Sequence, residues 1–185
     1  MKSCTVCGKE FEPVFNSRQA VCGRRCAGQV GKIKRKAQAR TLRDRKEAMK
    51  SLPDLKKEAQ IAFNAYIRYR DRGKPCICCG KFPAGEEALT GGSTDAGHYR
   101  SRGSCPELAF DERNCHLQLA RCNRFGWDVA SYRAELIRRI GLAEVESLEG
   151  YHPPKKYTRS DMKTIRDTYR QKLKALQQNS PENGQ

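Results

Sequence analysis

Apolar side chains recur every three or four positions in three stretches of this chain, and sustained strand-like alternation is hard to find. Over 54–72, Leu55, Ala59, Ala62, Phe63, Tyr66 and Ile67, with Arg70 following in phase, fall on one face of a helix. Asp54 after Pro53 reads as its N-cap or first-turn acid, and Gly73 as its stop. The aromatic residues on that face read as core rather than as a base-stacking surface. A second stripe, Tyr132, Leu136, Ile137, Ile140, Val145 and Leu148, spans 129–149, where Gly141 divides the run into two short helices. Thr158 or Ser160 can cap a third helix running to about Gln177, with Met162, Ile165, Tyr169, Leu173 and Leu176 along one side. The polar tail, 179–185, is expected to be disordered.

The stretch 27–51 breaks this pattern. It is rich in helix formers, has no proline before Pro53, and carries few apolar residues (Val30, Ile33, Leu42, Met49) among many lysines and arginines. That predicts a helical, poorly packed connector. It is either a solvated linker or an arm that follows phosphates, with Lys32, Lys34, Arg35 and Lys36 as its DNA-binding residues. The two uses are compatible. The 185 residues carry a net charge of +16, which fits a polyanionic partner, most simply nucleic acid. No apolar run reaches the roughly 20 residues needed to span a bilayer. No signal-peptide pattern opens the chain, so a cytoplasmic location and no membrane partner are expected.

Ten cysteines then change the picture. They cluster in short-spaced pairs, which close poorly into disulfides but chelate zinc well, since two thiolates from one tight turn fit two corners of a tetrahedron. Cys4, Cys7, Cys22 and Cys26 make the first such set, with Gly8 allowing the backbone to turn behind the first pair and Phe11 and Val14 as a miniature core. The second pair is expected at the start of a helix. Cys76, Cys79 and Cys122 begin another set.

Between these last cysteines lie Asp95-Ala-Gly-His98, Asn114-Cys-His116 and Cys122-Asn123. A knuckle, a lone histidine, an asparagine and a second cysteine site, in that order, form the pattern of an HNH-like ββα-metal nuclease. Phosphodiester hydrolysis requires a base for water and a cation for the phosphate and the leaving oxygen. His98 is the candidate base, with Gly97 letting the backbone approach closely. Asn114 is the candidate residue that locks the ring. Asp95 and Asn123 are candidate magnesium ligands through hard oxygen donors. His116 is a second ligand or a phosphate-facing donor. Arg100 and Arg102 in the following loop are candidate phosphate contacts.

Asp95-Ala-Gly-His-Tyr-Arg-Ser-Arg-Gly103, Pro106-Glu-Leu-x-Phe110, Glu112-Arg-Asn114-x-His116 and Cys122-Asn123 together resemble the NinG (Rap) proteins of lambdoid phages. The likeness extends to the amino-terminal cysteine finger, Phe63-Asn-Ala-Tyr-Ile-Arg68 and Tyr132-Arg-x-Glu-Leu-Ile-x-Arg-Ile-Gly141. The resemblance implies a phage recombination protein that cuts branched DNA such as Holliday junctions and D-loops. Two departures stand out. Leu119 occupies the first cysteine position of the family's second CxxC, leaving Cys105, Cys115, Cys78 or His116 to complete the second zinc set. The Ser-Gly-Asn turn expected after Asn123 is shortened to Gly126-Trp127-Asp128, where Asp128 is a candidate replacement ligand.

The expected fold is a small α-rich α+β assembly. It comprises a Cys4 zinc finger (1–27), a basic helical connector (28–73), an HNH-like, treble-clef-type ββα-metal unit with a cysteine knuckle (74–128) and C-terminal helices (129–178). The expected function is magnesium-dependent endonucleolytic cleavage of branched recombination intermediates, with one or two structural zinc ions. A homodimer would supply the two sites that symmetric resolution needs. The alternatives are a non-catalytic zinc-finger DNA-binding protein and an adaptor whose fingers bind phage or host recombination proteins.

Overall fold

A computed structural model describes residues 1–83, 93–126 and 128–179. It divides into two compact units, Met1–Lys50 and Ser51–Gln185. The predicted connector span is shared between them, its first helix belonging to one unit and its second to the other. The predicted tail, apart from Asn179, lies outside the described residues, as does Trp127 of the shortened turn.

In the first unit, β1 (Lys2–Ser3) pairs antiparallel with β2 (Glu10–Phe11), and α1 runs from Arg24 to Met49. Its buried side chains are Cys4 and Cys26. Val14, expected in a miniature core, is 81% exposed, because a hairpin of two-residue strands has nothing to pack it against. The helix α1 buries Cys26 alone, and Lys32, Lys34, Arg35 and Lys36 are exposed along it. This is the outcome its sparse apolar positions predict.

The second unit is built around α2 (Leu52–Arg70). Ser51 is the N-cap, and its side chain and that of Asp54 form a reciprocal capping box; Asp54 is therefore the first-turn acid. The buried face of α2 is the predicted one, including Leu55, Ala59, Phe63 and Ile67. The helix α6 (Arg159–Gln178), capped by Thr158 in a second capping box, packs along α2. Phe63 meets Tyr169 edge-on at 4.8 Å, and Arg166 pairs with Glu58 at 2.9 Å.

Against α2 lies an antiparallel ribbon of β3 (Thr94–His98) and β4 (Cys115–Leu119), in register from Thr94–Leu119 to His98–Cys115. Helix α3 (Ala120–Phe125) follows β4 directly, giving a ββα unit. Helices α4 (Val129–Ile140) and α5 (Leu142–Glu149) divide at Gly141, as their sequence predicts. They enclose a second apolar cluster of Ile77, Cys105, Leu108, Tyr132, Leu136, Val145 and Leu148. The hydroxyl of Tyr132 donates to the Gly97 carbonyl at 3.0 Å, fixing β3 from this side. Asp128, considered a replacement ligand, instead caps α4 by accepting from the amides of Ala130 and Ser131. No helix among the described residues is long and apolar enough to cross a membrane.

Candidate metal centres and nuclease-like site

Two clusters of four cysteines are positioned to hold metal: Cys4, Cys7, Cys22 and Cys26, and Cys76, Cys78, Cys79 and Cys122. Within each, the sulfurs lie within 4.8 Å of one another. Measured Sγ–Sγ separations are 3.6 Å for Cys7–Cys22, 3.7 Å for Cys22–Cys26 and 3.5 Å for Cys76–Cys78. A tetrahedron with Zn–S bonds of about 2.3 Å has edges of about 3.8 Å, so the donor sets fit zinc. Amides are turned toward the sulfurs. Hydrogen bonds from the backbone near Cys7 lead the effects that bring the Cys4 thiol down to about 6. Burial raises that of Cys76, but amides of Leu119, Cys79 and Cys78 outweigh it and bring it to about 7. Both shifts favour the thiolate that zinc requires.

The residues singled out from the sequence as a candidate nuclease site lie on and beside the ββα unit. His98 closes β3. Its Nε2 lies 3.1 Å from the Ala109 carbonyl oxygen, which can only accept, so Nε2 carries the proton and the lone pair is on Nδ1. Nδ1 lies 3.6 Å from the Cys115 sulfur, a thiol that burial keeps protonated. Phe63 of α2 packs 6.0 Å from the imidazole, centroid to centroid. Burial, reinforced by the charge of Arg102, lowers His98 to about 4 despite the Ala109 and Ala96 carbonyls. The ring is therefore neutral at physiological pH.

Asn114 does not touch that ring. Fully buried, it accepts from the Arg100 amide at 2.7 Å and donates to the carbonyls of Arg100 (3.0 Å) and Leu108 (3.1 Å). Its own carbonyl accepts from the Tyr99 amide at 2.8 Å. It thus ties the chain just after His98 to the chain just before Ala109, whose carbonyl holds the imidazole. Asn114→Ala would strand buried backbone groups and should destabilise the protein by about 1–3 kcal/mol, measurable by thermal or urea denaturation. Unchanged stability would show that the loop is held by other contacts.

Asp95 and Asn123 come together from β3 and the first turn of α3, with the Asn123 amide nitrogen 3.0 Å from Asp95 Oδ2. Arg124 also grips that carboxylate, Nε to Oδ2 at 3.1 Å and Nη2 to Oδ1 at 3.2 Å. The half-buried carboxylate is a hard oxygen donor of the kind magnesium takes, whereas Asn123 presents its NH2 to it and would have to turn its amide to offer oxygen. Strand alternation directs Asp95 toward Gln118 and α3, whereas His98 faces Cys115 and α2. Asp95 and His98, three residues apart on β3, therefore lie on opposite faces of the ribbon.

His116 is not brought to His98. It pairs across the ribbon with Gly97, on the opposite face, and is 5% exposed. Its Nδ1 lies 3.2 Å from Arg70 Nη2 and 3.4 Å from Asp71 Oδ2, and its Nε2 lies 3.2 Å from the Arg113 carbonyl oxygen. This is a structural network closing the end of α2 on β4. Within it Asp71 is fully buried yet held well below the carboxylate range, because bonds to His116 and Arg70 outweigh burial. Arg100 is partly committed as well, its Nε reaching Cys105 Sγ at 3.5 Å, while Arg102 is exposed.

Sequence reasoning missed Arg124, the Ala109 carbonyl and the Arg70–Asp71 pair. Adjacency of Arg124 to Asn123 was the available signal for the first. A carbonyl has no residue-specific signal. At Gly97 a Cβ would stand 1.9 Å from Gln118 Oε1, and that Oε1 has no hydrogen-bond partner. The close approach expected of Gly97 is thus to a side chain of the neighbouring strand.

The "Bacteriophage Lambda NinG protein" family model matches residues 1–179. A "Protein ninG" of Salmonella phage P22 is 43% identical over 142 residues, covering 76% of this chain and 66% of that protein; the Escherichia phage lambda protein is 42% identical with the same coverage. The chain therefore spans just under two thirds of these two relatives. A "Protein ninG" of Escherichia phage 933W is 35% identical across 98% of this chain and 96% of its own length. No solved structure matches the chain. A family match running through both cysteine clusters, the ββα ribbon and the C-terminal helices means that the chain belongs to the NinG family of lambdoid phage proteins.

Proposed function

We propose that this protein is a magnesium-dependent endonuclease acting on branched DNA. The observation that carries the proposal is the orientation of His98, a neutral imidazole with Nε2 tied to a backbone carbonyl and its lone pair on Nδ1. A general base needs this state: fixed tautomer, fixed ring and no proton to lose first. His98 takes the proton of the attacking water at Nδ1, beside the neutral Cys115 thiol. Ala109 orients the ring and stabilises the imidazolium as it forms. Asn114 holds both backbone segments that define the ring's position. Asp95, on the opposite face of β3 from His98, and Asn123, once its amide turns its oxygen outward, are the residues that would hold magnesium, which when bound would supply charge neutralisation to the DNA phosphates. Arg102 and the exposed cations of α1 give the phosphate backbone its electrostatic footing.

The pH dependence follows from the lowered imidazole. The active form is unprotonated, so the His98-dependent limb of the rate should rise with pH through about 4 and be flat by neutrality. A limb centred near 6.5 would show an imidazole in water rather than in this pocket. Stability moves the same way. His98 binds a proton more readily when unfolded, so its contribution is intact above about 6.5 and is lost as pH falls toward 4.

The deciding experiment compares a synthetic four-way junction with a linear duplex of equal length, with magnesium and with chelator. Junction cleavage in magnesium alone is expected; no cleavage of either substrate overturns the proposal. The second reading is a non-catalytic DNA-binding protein. The Arg124 guanidinium already paired with both oxygens of Asp95 favours it, since a carboxylate so neutralised is a poorer cation ligand. That reading predicts junction binding that weakens with salt and no strand scission.

A further inference from the structure

The two cysteine clusters follow one plan, legible in their hydrogen bonds. Cys4-Thr-Val-Cys7-Gly8-Lys9 and Cys76-Ile-Cys-Cys79-Gly80-Lys81 form the same knuckle. In each, the first cysteine's amide donates to the lysine carbonyl at 2.9 Å, and the glycine amide donates to the first cysteine's carbonyl at 2.9 Å. Both glycines have positive φ, 71° and 67°, as this turn requires. In each, an amide from a distant segment then donates to the first cysteine's sulfur: Cys22 to Cys4 at 3.4 Å, and Leu119 to Cys76 at 3.2 Å. The last thiol of each sits in the first turn of the helix that follows, Cys26 in α1 and Cys122 in α3.

Leu119 therefore stands where the first cluster has its third thiol, Cys22. Its side chain is an isobutyl group and it is 7% exposed. Within the second knuckle Ile77 stands at the position of Thr5 and, the difference that adds a ligand, Cys78 at the position of Val6. We propose that Cys78 supplies the thiolate that Leu119 cannot, so that the second centre is a four-cysteine zinc site of Cys76, Cys78, Cys79 and Cys122. Its third ligand has moved from the head of α3 into the knuckle loop.

Three observations support the relocation. The Cys78 sulfur lies 3.5 Å from that of Cys76, close to a tetrahedral edge, and within 4.8 Å of those of Cys79 and Cys122. The Gln118 side-chain amide donates to Cys78 Sγ at 3.4 Å, the kind of contact that stabilises a bound thiolate. The other donors considered are committed elsewhere. Cys105 lies in the α4–α5 apolar cluster, Cys115 beside His98, and His116 on Asp71.

The test is zinc per chain in the full-length protein, with cobalt substitution to read thiolate coordination from the absorption spectrum. The parent should hold two ions. Cys78→Ser should hold one. Leu119→Cys alone should still hold two and gain no thermal stability, because the site is already complete and a buried leucine has been shortened. The double variant Cys78→Ser/Leu119→Cys should return to two, with the four-thiolate cobalt spectrum restored. That recovery separates loss of a ligand from general misfolding, and Cys105→Ala should retain both ions. One zinc in the parent, two in Cys78→Ser, or one in the double variant would each overturn the assignment.

Discussion

His98→Ala should abolish junction cleavage by the full-length protein while leaving junction binding nearly unchanged. In the proposed mechanism the imidazole acts on water in the transition state, whereas the proposed phosphate contacts are other residues, the exposed cations of α1 and Arg102. Loss of a positioned general base removes about 10²–10⁴ in rate. The pocket supports the upper part of that range, because Phe63 and the Ala109 carbonyl leave the ring little freedom to lose when it acts. A band-shift assay beside a cleavage assay reads the two effects separately. Parental cutting by the variant would remove His98 from the mechanism. Lost binding would mean that its role is to hold the loop.

The second large effect is loss of structure on removing zinc from the first unit. Residues 1–50 form a compact unit whose buried side chains are Cys4 and Cys26. Val14 and Phe15 are 81% and 83% exposed, so there is little apolar core to hold the hairpin once metal is gone. Structural zinc contributes about 10–16 kcal/mol of apparent binding free energy in finger peptides, far more than this unit can replace. Gly23 gives α1 no side-chain cap, so its amino end also depends on Cys22 and Cys26. The amide spectrum of a 1–50 fragment should collapse on chelation and recover with zinc. A dispersed spectrum that survives chelation would contradict this account.

Helices were readable wherever their punctuation is local. Gly141 divides α4 from α5, Thr158 caps α6, and the apolar stripe of α2 is its buried face. These features need no knowledge of what packs against them. The candidate site was readable where neighbours in space are also close in sequence or share a strand, as with His98 on β3. Asp95 and Asn123 were both singled out, but only the register of β3 against β4 carries α3 back over Asp95. His116 shows the limit. Two residues from Asn114, it pairs with Gly97, one place short of His98, and that single step of a pleated ribbon sends it to the other face. Cys78 illustrates the same limit from the other side. It is one of four candidates to complete the second set, and the direction of its sulfur, which decides among them, is a property of the folded knuckle.

Gln118 gives the ribbon an unplanned accountability. One end of its amide reaches the Cys78 sulfur, and the other crowds the place where any side chain at 97 would grow. Positions 97 and 118 are thus not free to drift separately. A larger residue at 97 requires Gln118 to turn its amide away or to be replaced by a smaller residue, and either change withdraws a hydrogen bond from Cys78 Sγ. Side chains at position 97 should therefore be found together with a changed residue at 118. A library randomised at both would recover alternatives that single-site libraries at either would miss.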